Sequence, residues 1–247
     1  GKFISLSKNM VLGGLLLDQI LAFQNKMVEL FLQHGQIIRF EREHHIFQEG
    51  ERADDIFFIK HGAVQINQQT ESGKELTLRI CRNGVIIGEN AMFCHIQYHS
   101  TTAKATEPSE LIVLSKSKLE VLLTGQPSLL IDYLKWMQVE NIKNQTRMRD
   151  LVLHGKKGAL FSTLIRLANT YGEKREDHSI FINFSLTNTE IANFCATSRE
   201  MINRMLNDLK KHHILSFEKG FITIHNLDFL KKEIECADCP LAICRID

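Results

Sequence analysis

The segment 185–211, SLTNTEIANFCATSREMINRMLNDLKK, constrains this chain more than any other stretch. Thr187 and Glu190 stand three residues apart at the head of an apolar pair, Ile191 and Phe194. This is a capping box, in which each side chain accepts a hydrogen bond from the other's orphan amide. The apolar pattern breaks at Ala196-Thr197, and Ser198 caps a second helix. In that helix Ile202, Met205, Leu206 and Leu209 recur at i, i+3, i+4 and i+7, which predicts one buried stripe. Glu200, Asn203, Arg204 and Asn207 repeat the spacing on another face, with Arg199 beside them. Two short helices, a tight turn and a polar second helix describe a helix-turn-helix. The second helix suits the major groove, where Arg forks onto guanine O6 and N7 and Glu accepts from the cytosine amine. An amphipathic surface helix with solvated charges is the plainer alternative. It is weakened by residues 215–224, which alternate around Lys219-Gly220 and signal a hairpin. A hairpin directly after a recognition helix is a wing. Residues 156–227 thus read as a winged helix-turn-helix, with Arg199, Glu200, Asn203 and Arg204 as DNA-binding candidates.

Upstream the pattern is different. Residues 10–35 look helical and partly apolar and predict one or two helices leading in, without chemistry. From Gln36 to about Ser115, short alternating runs (56–59, 64–66, 76–80, 85–87, 111–114) are separated by Glu49-Gly50, His61-Gly62, Ser72-Gly73 and Asn83-Gly84. Many short strands at this spacing predict an antiparallel double-sheet roll. A short helix over 116–124 follows. Pro127 then opens a long helix reaching about His154, along which Leu130, Leu134, Met137, Asn141, Asn144, Met148 and Leu151 alternate four and three apart. That heptad seam, with two Asn in it, predicts a two-chain coiled coil. Gly155 and Gly158 flank Lys156-Lys157 as a hinge, and 172–177 reads as a solvated loop. The fold class is α+β. Its parts are a roll with N-terminal helices over 1–125, a dimerisation helix over 126–155, the winged domain over 156–227, and a tail over 228–247.

At 247 residues the chain accommodates two cores. A net charge of +1 excludes a nonspecific nucleic-acid coat and suits a sequence reader that places a few cations locally and gains affinity by dimerising. No run approaches a membrane span and no secretory leader is evident, so a cytoplasmic protein is expected. No flavin or dinucleotide signature and no Ser-His-Asp order points to an enzyme. Three of six cysteines, Cys236, Cys239 and Cys244, crowd the tail as C-x2-C-x4-C, with Pro240 directly after one of them. In a reducing compartment such clustering reads as metal binding. Three thiolates within nine residues suit an iron–sulfur cluster, and C-x2-C also suits zinc.

The order of parts resembles the Crp/Fnr family of bacterial transcription regulators along almost the whole chain. The residues that carry the resemblance are Gly73-Lys74-Glu75, Gly88-Glu89, and Ser198-Arg199-Glu200 with Arg204. It implies that Arg199, Glu200 and Arg204 read bases as in the cAMP-receptor branch, with a TGTGA-like half-site. The Fnr branch proper differs at the position of Arg199. It implies a homodimer on a double-stranded palindrome, with RNA polymerase as a further partner. In cAMP-binding members Gly-Glu holds the ribose and an Arg-Ser pair holds the cyclic phosphate. Here Gly88-Glu89 is followed by His99-Ser100, and an imidazole does not replace a bidentate guanidinium, so the roll is expected to bind no cyclic nucleotide.

The tail and residues 149–160, RDLVLHGKKGAL, are similar to the Bacillus-type Fnr branch, which looks for oxygen through a C-terminal [4Fe-4S] cluster. The resemblance implies one cluster per subunit on Cys236, Cys239 and Cys244, with Asp150 as the fourth ligand. A carboxylate is the poorer partner for such iron, which would make that corner labile. Taken alone, Asp150 reads as a helix-surface carboxylate paired with Arg147 one turn earlier. His154 and Cys195 are substitute fourth ligands, and Cys81 and Cys94 are expected to be packed in the roll. The function expected is an oxygen-responsive regulator of anaerobic genes. The alternative is a zinc-stabilised regulator of the same family answering another signal.

Overall fold

The structure is a computed structural model that describes residues 2–247, with side chains from Gly14 onward. The chain divides into two compact units, 15–138 and 139–246.

The first unit holds the end of α1 (Lys2–His34), one continuous helix where one or two were expected. Eight strands follow: β1 (Gln36–Phe40), β2 (His45–Phe47), β3 (Asp55–His61), β4 (Val64–Gln69), β5 (Glu75–Cys81), β6 (Ile86–Ile87), β7 (Thr102–Ala105) and β8 (Ser109–Ser115). They pair antiparallel into two four-stranded sheets, β1-β8-β3-β6 and β2-β7-β4-β5, the expected roll. The five apolar runs of the sequence lie in β3, β4, β5, β6 and β8. Gly62 and Gly84 turn the chain at φ +106° and +90°, where a Cβ is strained. Ile59, Val64, Ile66, Ile87 and Leu111 fill one core of the roll. A second core joins Ile56, Phe58, Ile112 and Leu114 to Phe23, Met27 and Phe31 of α1, to Leu119 and Leu123 of α2 (Lys116–Thr124), and to Tyr133 and Trp136 of α3 (Pro127–Leu153). Ser115 caps α2 by accepting from the Lys118 amide.

Along α3 the seam positions Leu134, Asn141, Asn144 and Met148 are exposed. Leu130 and Met137, placed in the seam from the sequence, are half-buried in this second core of their own chain. The large apolar side chains of α3 left exposed are Ile131, Leu134, Ile142, Met148, Val152 and Leu153. Spacing alone does not reveal which of two adjacent stripes a chain's own core has already covered.

In the second unit α3 ends and α4 (Gly155–Tyr171) begins. They are joined at Gly155, whose φ of +61° breaks the helix where the hinge was expected. Eleven consecutive residues of α4, from Gly158 to Ala168, are buried. Then come β9 (Gly172–Lys174), β10 (Ile180–Ile182), α5 (Asn188–Phe194), α6 (Arg199–Lys211), β11 (Leu215–Glu218), β12 (Phe221–Ile224) and α7 (Leu227–Glu233). The sheet order is β11-β12-β10-β9, all antiparallel. Residues 172–174 therefore form an edge strand and not the solvated loop expected there. Its residues are exposed, so hydrophobic periodicity gives no sign of it.

Candidate functional site

The recognition element forms as its sequence dictates. The Thr187 hydroxyl accepts from the Glu190 amide at 3.1 Å and the Glu190 carboxylate accepts from the Thr187 amide at 2.7 Å, completing the capping box. Ser198 caps α6 by accepting from the Met201 amide. Ile202, Leu206 and Leu209 are buried, Met205 is half-buried, and Ile191 and Phe194 of α5 are buried with them. Arg199, Glu200, Asn203 and Arg204 are all exposed. The Asn203 amide oxygen accepts from Asn188 Nδ2 at 3.2 Å, fixing how that side chain is presented. The wing closes through Lys219 and Gly220, both at positive φ (+51° and +84°), a two-residue hairpin turn between Glu218 and Phe221.

The tail site lies in the same unit. Beyond α7 the chain turns at Glu235 and Asp238, both at positive φ, and folds back over α4. Asp150 is 5% exposed, so it is buried and not the helix-surface carboxylate that the isolated sequence suggests. Its Oδ1 accepts from Arg149 Nη2 at 2.7 Å, and its Oδ2 accepts from Ser162 Oγ at 2.7 Å and Arg166 Nη2 at 3.1 Å. Burial works to raise the carboxyl pKa, but the hydrogen bonds from Ser162, Arg149 and Arg166 outweigh it and hold Asp150 below the usual carboxylate range.

The thiols share this surrounding. Cys244 is buried, and burial pushes it up to about 11 against the opposing field of Arg166. Burial likewise raises Cys239, opposed by Arg149, with Cys236 adding repulsion. Arg149 lies within electrostatic reach of Asp150, Cys239 and Cys236 together. Cys236, Cys239, Cys244 and Asp150 thus occupy one charged neighbourhood, although among the described residues no three such side chains converge as a metal site. Arg166, which joins this neighbourhood together, was missed by sequence reasoning. It sits mid-way along an apolar helix, and that misplaced charge was the available signal.

The other cysteines stand apart. Cys195 is buried against Thr163, its Sγ 3.8 Å from the hydroxyl, and burial raises it to about 12. Cys81 is buried in β5, but Cys94 is exposed in the 92–97 loop, donating to the Asn90 carbonyl, which corrects its placement as packed. Thiolate supply and access set alkylation rates. Iodoacetamide is therefore expected to label Cys94 first and Cys81 and Cys195 last in the metal-free native chain, as read by peptide mass spectrometry.

In the roll, Glu89 accepts from Arg79 at 2.8 Å, a largely buried ion pair. The His99 ring stacks on Phe47, centroids 3.8 Å apart. The cavity that these residues line with Gly88 and Ser100 has a volume of about 30 Å³, room for a water molecule. Among the described residues no helix is long and apolar enough to cross a membrane.

Two family models match the chain, the cyclic nucleotide-binding domain over residues 37–125 and the Crp-like helix-turn-helix domain over residues 159–233. The anaerobic regulatory protein of Bacillus subtilis is 46% identical over 210 residues, covering 85% of this chain and 88% of that one. The cAMP-activated global transcriptional regulator CRP of Pasteurella multocida is 26% identical, covering 80% of this chain and 94% of its own. Among solved structures, the c-di-GMP responsive global regulator CLP of Xanthomonas campestris superposes with a TM-score of 0.71 at 19% identity, over 81% of this chain and 99% of that one. FixK2 of Bradyrhizobium japonicum gives 0.70 at 16% identity, over 80% and 96%.

Proposed function

Because the chain belongs to the Crp/Fnr family of transcription regulators, which bind DNA as dimers and are not enzymes, we propose that it is an oxygen-responsive regulator of anaerobic genes. One [4Fe-4S] cluster per subunit, on Cys236, Cys239, Cys244 and Asp150, enables the dimer to hold a TGTGA-type palindrome and recruit RNA polymerase. The observation that carries this reading is geometric: Arg166 bonds both the buried Asp150 and the carbonyls on either side of Cys244, so the cysteine tail is docked beside that carboxylate. The 46% identical relative named as an anaerobic regulator supports it.

The donor set fits the cluster chemically. Soft thiols come from one short loop, a harder carboxylate from α3, and two guanidinium groups stand by to offset the negative charge of the ligands. When bound, the cluster supplies an oxygen-labile tie between these groups. The chain does the rest. A tied loop holds the start of α4 against the end of α3, so the hinge at Gly155 is fixed. A loosened loop lets the hinge turn, and the two recognition helices leave the spacing of about one helical turn that a palindrome demands. The exposed stripe Ile131, Leu134, Ile142, Met148 and Val152 is the seam between the two α3 helices. The roll acts as scaffold and not as a cyclic-nucleotide receptor, since Arg79 engages Glu89 and His99 stands where a phosphate-binding Arg is needed. The setting is the cytoplasm, where tail thiols stay reduced.

The test is anaerobic purification with an absorbance spectrum and iron and sulfide analysis, then exposure to air. A brown protein that bleaches and releases a TGTGA-type palindrome supports the reading. A colourless protein with one zinc per chain and air-independent DNA binding replaces it with the zinc-stabilised regulator. For the reading head, Arg204→Ala is expected to cost roughly 1–3 kcal/mol of specific binding and to relax discrimination at one base pair. Unchanged preference across altered half-sites removes Arg204 from base reading.

A further inference from the structure

Arg166 is 2% exposed and has no place in base reading, yet it carries the densest set of side-chain hydrogen bonds around the tail. Its Nη2 donates to Asp150 Oδ2 and to Thr146 Oγ1, both at 3.1 Å, and its Nε donates to Ser162 Oγ at 3.3 Å. Its Nη1 donates to the carbonyls of Ile243 and Arg245, each at 3.4 Å. Asn169 Nδ2 donates to the carbonyl between them, that of Cys244, at 2.9 Å. Thr170 Oγ1 accepts from the Ile246 amide at 3.0 Å. Residues 166, 169 and 170 are spaced i, i+3 and i+4, so one face of α4 receives three successive tail carbonyls and the amide that follows. Ala242, Ile243 and Ile246 are buried beside them.

We propose that Arg166 is the positioning residue of the tail site, a buried guanidinium that anchors residues 242–246 and aims Asp150 whether or not a metal is bound. A buried Arg needs a counter-charge and full hydrogen bonding, and Asp150 with the tail carbonyls supplies both. The anchored end carries Cys244, while Cys236 and Cys239 lie on the half-exposed loop before it. Loss of the cluster therefore frees only the loop that carries those two thiols. The end of the chain stays docked, ready for a cluster to be rebuilt. The anchoring part of this inference stands without the proposed cluster; the aiming of Asp150 as a ligand rests on it.

The test is amide hydrogen exchange on the full-length, metal-free chain. Arg166→Gln is expected to speed exchange at residues 242–246 at least tenfold, with α6 and the wing unchanged, and Arg166→Lys to recover part of the protection. Asp150→Asn, isosteric and gentler on folding, is expected to speed the same amides, because it removes the charge that holds the guanidinium. Unchanged tail exchange in Arg166→Gln and Asp150→Asn overturns the anchor, and so does acceleration spread over the whole unit. In protein reconstituted anaerobically with iron and sulfide, Arg166→Gln is expected to bleach in air at least twofold faster than the parent. Equal bleaching overturns the aiming role. If the parent takes up no iron, the cluster reading fails, and with it the ligand role of Asp150, while the exchange experiment still decides the anchor.

Discussion

Cys239→Ser, and equally Cys236→Ser or Cys244→Ser, is expected to abolish specific binding to a TGTGA-type palindrome while size-exclusion chromatography still returns a dimer. A serine hydroxyl is a poor ligand for iron that thiolate holds well, so a single exchange removes one of three soft donors from a site with none to spare. Binding then falls to the nonspecific level set by phosphate contacts, a loss of at least about 10³-fold at physiological salt. The fold is expected to survive. Cys236 and Cys239 are only half-buried, and the chain end is held by α4 through bonds that involve none of the three sulfurs. Fluorescence anisotropy with the palindrome under anaerobic conditions measures the loss. Specific binding retained by any of the three variants separates the tail from the reading head.

Leu134→Glu is expected to dissociate the dimer and to take specific DNA binding with it. Leu134 is 54% exposed in the single chain, so its replacement leaves the chain's own core intact and the melting of the isolated fold nearly unchanged. Across a two-fold seam, however, the same change removes two leucines from an apolar contact and sets two carboxylates close together. Neither can be buried without a partner. Light scattering is expected to give the 28.4 kDa mass of one chain in place of twice that value. A single winged domain then meets only half of the palindrome, and the gain from linking two readers on one site is lost, typically 10²-fold or more. A variant that stays dimeric moves the seam to another face of α3.

What was legible in the sequence followed from local chemistry. The capping box at Thr187, the Ser198 cap, the Lys219-Gly220 turn and the buried stripe of α6 are short-range devices, each complete within a dozen residues. The runs that became β3 and β8 announced themselves because both faces are covered. Strand β1, QIIRF, did not, since it is mostly exposed and its pairing with β8 spans 69 residues or more. The same limit explains Asp150. Its neighbours in sequence suggested a surface pair with Arg147. Of the residues that define it, Arg149 is its neighbour in sequence, but Ser162 and Arg166 come from the next helix, and only the turn at Gly155 brings them to it. On α3, spacing gave no sign that Leu130 and Met137 are half-covered by the chain's own core, because the covering residues come from elements distant in sequence.

The burial of α4 along eleven consecutive residues has a mechanical consequence. A helix with solvent on one side can yield to a push by tilting or bowing into the space it has. One walled in on every side cannot, because a close-packed interior compresses little and passes displacement on nearly undiminished. Movement imposed at the end of α4 near the tail therefore emerges at its other contacts as movement of the same order. On the proposed function, the helix would work as a push-rod between the cysteine loop and the recognition helix, its accuracy set by how few voids surround it.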